Sequence, residues 1–487
     1  MYKAYITTLK NVRPHPNADR MLLADCFGNT VCVGLEAKEN DVIIYFPVDG
    51  ELSKEYAEIN NLVRIKNEDG TYSGGYLDPK KRNIKAIKLR GEKSDGLVMP
   101  LESLSSFGDV STLQIGDTID VFNGHEICKK YIPKVKEKRS YSGGNKTRKR
   151  KVPIAPLFAE HADTEQLAYN LDAFKAGDEI EITLKMHGTS QRTGYLPVFK
   201  GYVGSPFFLF LYKHFDRFAE MAEKHLTPIY DWGYVSGTRR TVLNDFEGGF
   251  YGSDKFREPH AKLFEGKLWK GEEVFYEVVG FTDTGIPIMP QVSNKKTNDK
   301  EFIKQYGETT TFSYGCRPIG FDLNSSYFEG NIEEGIIKDC PQSDIYVYRM
   351  TMTNEDGEVI EYTPDFMRYR CEQMGVKTVP VLWKGIIPPD EWIEECYDCE
   401  GELGNWACHR EGSAGEWIKN KAEQFYDGPD PIGKTHVREG VVCRILNRPK
   451  FTAYKHKNFS FKVIEGIAKN DAEVPDIEEA QEVSDEG

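Results

Sequence analysis

The chain has 487 residues, long for a single hydrophobic core, and carries 77 acids against 63 bases for a net charge of −14. Two domains with linkers are the expectation at this length. The longest aromatic and apolar run, Phe207 to Tyr212, is far short of a membrane span, and the opening Met1-Tyr2-Lys3-Ala4-Tyr5 lacks a signal-peptide stretch, so a cytoplasmic protein is expected. Ten scattered cysteines argue against a disulfide-stapled secreted domain and for reduced thiols.

Taken from the N-terminus, the first 133 residues hold short alternating strands: Lys3-Ala4-Tyr5-Ile6-Thr7, Thr30-Val31-Cys32-Val33-Gly34 and Asp41-Val42-Ile43-Ile44-Tyr45-Phe46. Short runs separated by turn signals predict a small β-barrel. The segment from Val12 to Arg20 is similar to the opening of tRNA-binding OB modules, and that from Lys85 to Pro100 resembles the closing strands of the same module. An OB barrel offers a groove that follows the backbone of a nucleic-acid strand, so RNA is the partner this resemblance implies.

Residues 134–153 read as a flexible joint, with nine Lys or Arg against one acid between Lys134 and Lys151. Nine cations on such a segment attract phosphates non-specifically. The overall acidity misleads about phosphate binding, because eight acids lie between Asp471 and Glu486, and without them the excess of acids falls to six. That stretch, 470–487, is predicted to be a solvated, disordered tail.

Residues 154–469 mix helical stretches, such as Tyr212 to Lys224, with several strands and are predicted to form an α+β domain. Within it, the strand-like Glu179-Ile180-Glu181-Ile182-Thr183-Leu184 runs into Lys185-Met186-His187-Gly188-Thr189-Ser190. A lysine where apolar alternation stops and a glycine turn begins is well placed to present a nucleophilic amine to a phosphate. Downstream come Val235-Ser236-Gly237-Thr238-Arg239-Arg240, Phe275-Tyr276-Glu277-Val278-Val279-Gly280, Ile345-Tyr346-Val347-Tyr348-Arg349-Met350, Arg438-Glu439-Gly440-Val441-Val442 and Ala453-Tyr454-Lys455-His456-Lys457. A carboxylate heading an apolar strand, as Glu439 does, is expensive unless it binds something. Lys455 and Lys457 alternate along a predicted strand, so both point to one face.

This succession, from Lys185 to Lys457, resembles motifs I, Ia, III, IIIa, IV and V of the covalent nucleotidyltransferase superfamily, the ATP-dependent ligases and capping enzymes. The family's ligases and capping enzymes for DNA ends and RNA caps generally carry an OB domain after motif V, whereas here the barrel-like segment comes first and only 30 residues follow Lys457. The arrangement resembles the RNA ligase family with an N-terminal OB module, and implies a fold of an OB-like barrel followed by an adenylyltransferase domain of antiparallel sheets and helices.

The resemblance implies ATP and Mg²⁺ or Mn²⁺ as cofactors, and RNA with a 3′-hydroxyl and a 5′-phosphate end, at nicks in duplex RNA, as substrate. Lys185 would take AMP on its side-chain nitrogen, with Lys455 and Lys457 flanking the α-phosphate. Glu439 would hold the metal through water, and Glu277 would contact the ribose and support the metal-bound waters. Gly188 belongs to the nucleotide turn; His187 stands where many members have Asp and would act as a hydrogen-bond donor. Arg239 or Arg240 would hold ribose or pyrophosphate. Tyr348 would stack on adenine, with Tyr346 its competitor. Between Tyr348 and Glu439, Cys396, Cys399, Cys408 and His409 have zinc-like elements without the usual ligand spacing, and read as reduced residues of a helical insert. A capping guanylyltransferase, a DNA ligase and a non-catalytic RNA-binding OB protein are the alternatives.

Overall fold

The computed structural model describes residues 2–67, 69–133, 152–158, 160–161, 164–243, 246, 254–318, 341–389 and 412–470. Residues 134–151 of the basic joint expected at 134–153, residues 471–487 of the acidic tail expected at 470–487, and Cys396, Cys399, Cys408 and His409 lie outside these residues. The architecture is mixed α+β, built of antiparallel sheets and helices. Among the described residues no helix is long and apolar enough to cross a membrane. The chain forms two compact units: one holds residues up to 133 with 296–298 and 457–470, the other the described residues of 152–295 and 299–456.

In the first unit, strands β1 (Ala4–Thr8), β2 (Lys10–Pro14), β3 (Leu22–Cys26), β4 (Asn29–Val33) and β5 (Val42–Phe46) are followed by β6 (Ala86–Leu89), β7 (Glu92–Asp95), β8 (Leu97–Pro100) and β9 (Thr118–Ile119). β5 is β-branched and aromatic, buried after its first residue, and sits inside a sheet of order β8-β5-β1-β9. Strands β2-β3-β4 form a second sheet, and β6 pairs with β7 across Arg90 and Gly91, both at positive φ (47° and 96°) as a tight hairpin turn requires. The expected closed barrel is not found among the described residues: the pairing forms separate sheets, and β9, only two residues long, ends one of them. Ile6, Ile44, Phe46, Tyr56 and Leu104 fill the core.

The helix Phe459–Asn470 belongs to this unit. Lys462 Nζ lies 2.6 Å from Asp95, and Lys469, its side chain 2% exposed, places Nζ 3.1 Å from Asp49 and 3.4 Å from Glu465. Burying an ammonium is expensive without such partners, so these contacts specify where the helix docks.

In the second unit, β10 (Glu165–Gln166), β11 (Glu179–Lys185), β12 (Thr189–Gly204), β13 (Leu226–Gly237), β14 (Val242–Leu243), β15 (Glu272–Gly280), β16 (Ser343–Thr353), β17 (Val359–Glu361), β18 (Val381–Ile386), β19 (Gly440–Ile445) and β20 (Thr452–Lys457) form two sheets. Their orders are β10-β20-β19-β11-β18 and β14-β13-β12-β15-β16-β17. Ile180 and Ile182 of β11 with Val441 and Cys443 of β19 bury against Ile418 and Ala422 of a helix, Ala414–Glu423, that starts with a Ser413–Glu416 capping box.

All nine residues of β15 are buried, so each of its three carboxylates needs a partner. Glu272 takes two hydrogen bonds, of 2.8 and 2.7 Å, from Arg370 of the helix Pro364–Met374, and Glu273 lies 3.3 Å from Arg192. Glu277 is aimed elsewhere, at the turn described below.

β12 outruns its sheet. β15 pairs with it only from Thr189 to Gly194, and beyond that β12 pairs with β13 alone. At the tip of this arm are α1 (Pro206–His214) and α2 (Asp216–Glu223). The helix expected over Tyr212 to Lys224 is broken at Phe215, whose backbone is extended (φ −132°, ψ 99°). The break folds α2 against α1 and buries Ala219 and Ala222.

Candidate active site

Lys185 is the last residue of β11, and the β11–β19 register sets it opposite Gly440, one residue after Glu439. Its Nζ lies 2.7 Å from Oε1 of Glu439; the lysine is 20% exposed and the glutamate 2%. A carboxylate so far out of water is held there by its cationic neighbour, and the pair points a lysine tip from the end of a rigid strand.

The turn after Lys185 is fixed from three sides. The Gly188 amide donates to Oε1 of Glu277 at 3.1 Å. The His187 amide donates to the Tyr314 hydroxyl at 2.6 Å, its Nδ1 lies 3.6 Å from Oε2 of Glu439, and the Phe312 ring meets the imidazole edge-on at 4.5 Å. Burial pushes the Tyr314 phenol well above its ordinary range, so it remains a neutral hydroxyl. Behind the turn, Arg257, fully buried, donates to the Ser190 carbonyl (3.2 Å) and the Thr189 hydroxyl (2.6 Å), and Asp254 neutralises it at 3.1 Å.

Gly188 is required by space. A Cβ there would come 2.4 Å from the Val278 carbonyl oxygen and 2.9 Å from Cγ of Glu277. Gly188→Ala is therefore expected to push the turn off β15, lower stability by about 2 kcal/mol and displace Glu277. Thermal unfolding and nucleotide labelling measure the two effects, and a variant unchanged in both would show that the turn yields freely.

Tyr348 reaches the same region through a register shift in the β15–β16 pairing between Phe275 and Tyr276. Its hydroxyl is 3.1 Å from the Ser190 hydroxyl. Tyr346, opposite Glu277, is 5% exposed and therefore a core residue, whereas Tyr348 is half-buried. The backbone carbonyl of Arg239 accepts the His161 amide at 3.2 Å, and the His161 ring packs 5.3 Å from Tyr348, which brings the Arg239 turn to the tyrosine. Arg192 donates from Nε to the Thr238 carbonyl at 2.9 Å and steadies that turn; Arg240 is exposed.

Lys455 is half-buried on β20, the strand beside β19. Its neighbour His456 is 5% exposed, lies 3.3 Å from Glu423 and stacks on Tyr426 at 4.9 Å and 6°. Since successive side chains of a strand alternate, anchoring His456 turns Lys455 to the opposite face. Burial alone would raise the Glu423 carboxyl, but hydrogen bonds from His456 and Lys419 outweigh it and hold it at about 2. A depressed carboxyl contributes stability that is present above its unfolded value of 4.5 and is lost as pH falls through about 2. Glu423→Gln should thus be less stable than the parent above pH 4.5 and converge with it at the acid end, a difference that chemical denaturation across pH measures. Lys457, at the end of β20, has Nζ 2.7 Å from Glu465 and 5.4 Å from the centroid of the Phe461 ring.

Lys185, His187, Gly188, Glu277 and Glu439 thus converge directly, and Tyr348 and Arg239 join through Ser190 and His161. The sequence reading missed Phe312, Tyr314, Arg257 and His161; each acts across a long stretch of chain, and none lies in a recognisable motif. Among the described residues there is no cluster of three or more metal-ligating side chains. Two buried carboxylates, Glu277 (8% exposed) and Glu439, suit a cation that keeps most of its waters, as Mg²⁺ does, and not an all-protein cage.

No family model matches the chain, and no curated protein matches it in sequence. Among solved structures it is similar to single-substitution forms of an RNA ligase from Naegleria gruberi. One, with ATP and Mn, is 15% identical over 94% of this chain and 98% of its own, with a TM-score of 0.49. Another, with AMP and Mn, is 14% identical over 94% and 97% at a TM-score of 0.48. A third, without ligand, is 15% identical over the same shares at 0.48.

Proposed function

We propose that this chain is an ATP-dependent RNA ligase that joins a 3′-hydroxyl to a 5′-phosphate, at nicks in duplex RNA, through a lysyl-AMP intermediate. The observation that carries the reading is the pairing of Lys185 with buried Glu439 at the mouth of a glycine turn whose amide is tied to Glu277. In this reading residues 1–133 are an OB-like RNA-binding module, 134–153 a basic joint, 154–469 the nucleotidyltransferase domain and 470–487 an acidic tail, and the protein works in the cytoplasm.

Lys185 Nζ attacks the α-phosphorus of ATP; the N–P bond forms as the bond to pyrophosphate breaks. An ammonium has no lone pair, so its proton must first pass to solvent, and Lys455 and Lys457 flank the α-phosphate that the freed amine attacks. The two lysines also offset charge developing on the α-phosphate. Mg²⁺ or Mn²⁺, held through water by Glu439 and Glu277, would supply further neutralisation. Tyr348 stacks on adenine, and Arg239, with Arg240 the alternative, holds ribose or pyrophosphate. His187 and Gly188 line the nucleotide. In the second step a 5′-phosphate oxygen of RNA attacks the AMP phosphorus and Lys185 leaves. In the third a 3′-hydroxyl attacks the activated 5′-phosphate and AMP departs.

Incubating the full chain with labelled ATP or GTP and Mg²⁺ or Mn²⁺ tests this reading. Acid-stable label from ATP alone, followed by sealing of a nicked RNA duplex, is expected. Label from GTP would favour the guanylyltransferase alternative, sealing confined to DNA would favour a DNA ligase, and no label from either would favour a non-catalytic RNA-binding protein.

A further inference from the structure

The reaction proposed above asks Lys457 to face a phosphate, yet its ammonium is already committed to a carboxylate. Its Nζ lies 2.7 Å from Oε1 of Glu465, with the lysine side chain 13% exposed and the glutamate 6%, and 5.4 Å from the centroid of the Phe461 ring. A pair so far out of water is costly to break when the break leaves a carboxylate without a cation. The surroundings of Glu465 reduce that cost. The Lys469 ammonium, its side chain 2% exposed, lies 3.4 Å from the same Oε1 and 3.1 Å from Oδ1 of Asp49.

Phe461, Glu465 and Lys469 are spaced by four on the helix Phe459–Asn470 and so share one face, and Lys457 stands four residues before the first of them, where β20 ends. The lysines at the two ends of this row are not equivalent. Lys469 has Asp49 as a further partner and is fixed in the helix. Lys457 sits at a strand end, and its flexible four-carbon stem can carry the ammonium elsewhere without moving the backbone. When it goes, Glu465 keeps Lys469, and no carboxylate is stranded. The two ammoniums also repel each other across Oε1, which favours the departure of the one that has another anion to meet.

We propose that Glu465 is a positioning residue for nucleotide binding: it holds the Lys457 ammonium in the absence of nucleotide and gives it up to the α-phosphate of ATP, while Lys469 stays behind. The inference rests on the proposed function for the phosphate that Lys457 meets, and adds the partner that this lysine must leave. Because carboxylate and phosphate compete for one ammonium, Glu465 lowers the affinity for ATP, and bound ATP weakens the Lys457–Glu465 pair by the same factor.

The test uses the full chain and α,β-methylene ATP with Mg²⁺, an analogue whose carbon bridge prevents transfer of AMP, so that calorimetry measures binding alone. Glu465→Gln removes the competing charge and is expected to bind the analogue at least threefold more tightly than the parent. Lys469→Met acts in the opposite direction: it deletes the ammonium that stays behind, so release of Lys457 strands Glu465 and binding should weaken at least threefold. A merely structural role for the cluster would shift both variants the same way. Thermal unfolding checks that each is folded, and if one is not, the other decides alone. In a Lys457→Ala background both effects should vanish, since no ammonium remains to be exchanged. With labelled ATP, Glu465→Gln should lower the half-saturating concentration and keep the rate at saturation within threefold of the parent. Analogue binding that is unchanged or weaker in Glu465→Gln, unchanged or tighter in Lys469→Met, or still altered without Lys457 would overturn the proposal and leave the ligase reading standing. A parent that binds the analogue but takes no acid-stable label from ATP would overturn the proposed reaction alone, and a parent that does not bind the analogue would overturn both.

Discussion

Neither Lys185→Ala nor Lys185→Arg should form acid-stable adenylate, a loss of several orders of magnitude, whereas their stabilities should differ. Alanine leaves Glu439, 2% exposed, without its 2.7 Å cation, and breaking a buried pair in this way costs about 3 kcal/mol. Arginine keeps a positive charge beside that carboxylate and should remain close to the parent in thermal unfolding. It has no accessible lone pair, however, and cannot become the phosphoramide nitrogen. A variant that folds and does not label separates nucleophile from structural counter-ion. Label retained on Lys185→Arg would return Lys185 to the role of Glu439's partner.

Glu439→Gln is expected to lower adenylylation at least a hundredfold and to remove most of its response to Mg²⁺ or Mn²⁺. The substitution preserves shape and deletes the charge that would hold a hydrated cation, leaving Glu277 alone. It also releases Lys185 from the ion pair, so an increase in labelling would mean that Glu439 restrains the lysine. A titration of rate against metal concentration decides between these, since unchanged metal dependence in the variant would remove Glu439 from cation binding.

What could be read from the sequence followed from how local each feature is. Lys185, Gly188 and Glu439 stand where a strand meets a turn or opens, and a strand's alternation is visible over five or six residues. The register that sets Lys185 opposite Gly440 then brings the first and fifth motifs together. Tyr314 was invisible because its bond to the His187 amide spans 127 residues and needs only a hydroxyl, which any of 26 tyrosines could supply. That Tyr346 is buried while Tyr348 is half-buried beside Ser190 follows from the register shift in the β15–β16 pairing, which no composition signals. Local composition does not separate Glu272 and Glu273 from Glu277, which only the motif resemblance picked out; in the fold Arg370 and Arg192 engage the first two, and Glu277 meets the turn. The open pairing of the N-terminal sheets was likewise hidden, since strands of five residues read the same in a barrel or in an open sheet.

The helix Phe459–Asn470 has a consequence for how the protein is made. Residues up to 133 leave the ribosome well before 457–470, which belong to the same compact unit. At about 5–20 residues per second, the more than 300 residues between them take roughly 15–65 s to synthesise. During that interval Asp49 and Asp95 await Lys469 and Lys462, and the early sheets hold an unfinished surface. A unit begun early is completed late, so its exposure to misfolding is set by the speed of translation through everything that lies between.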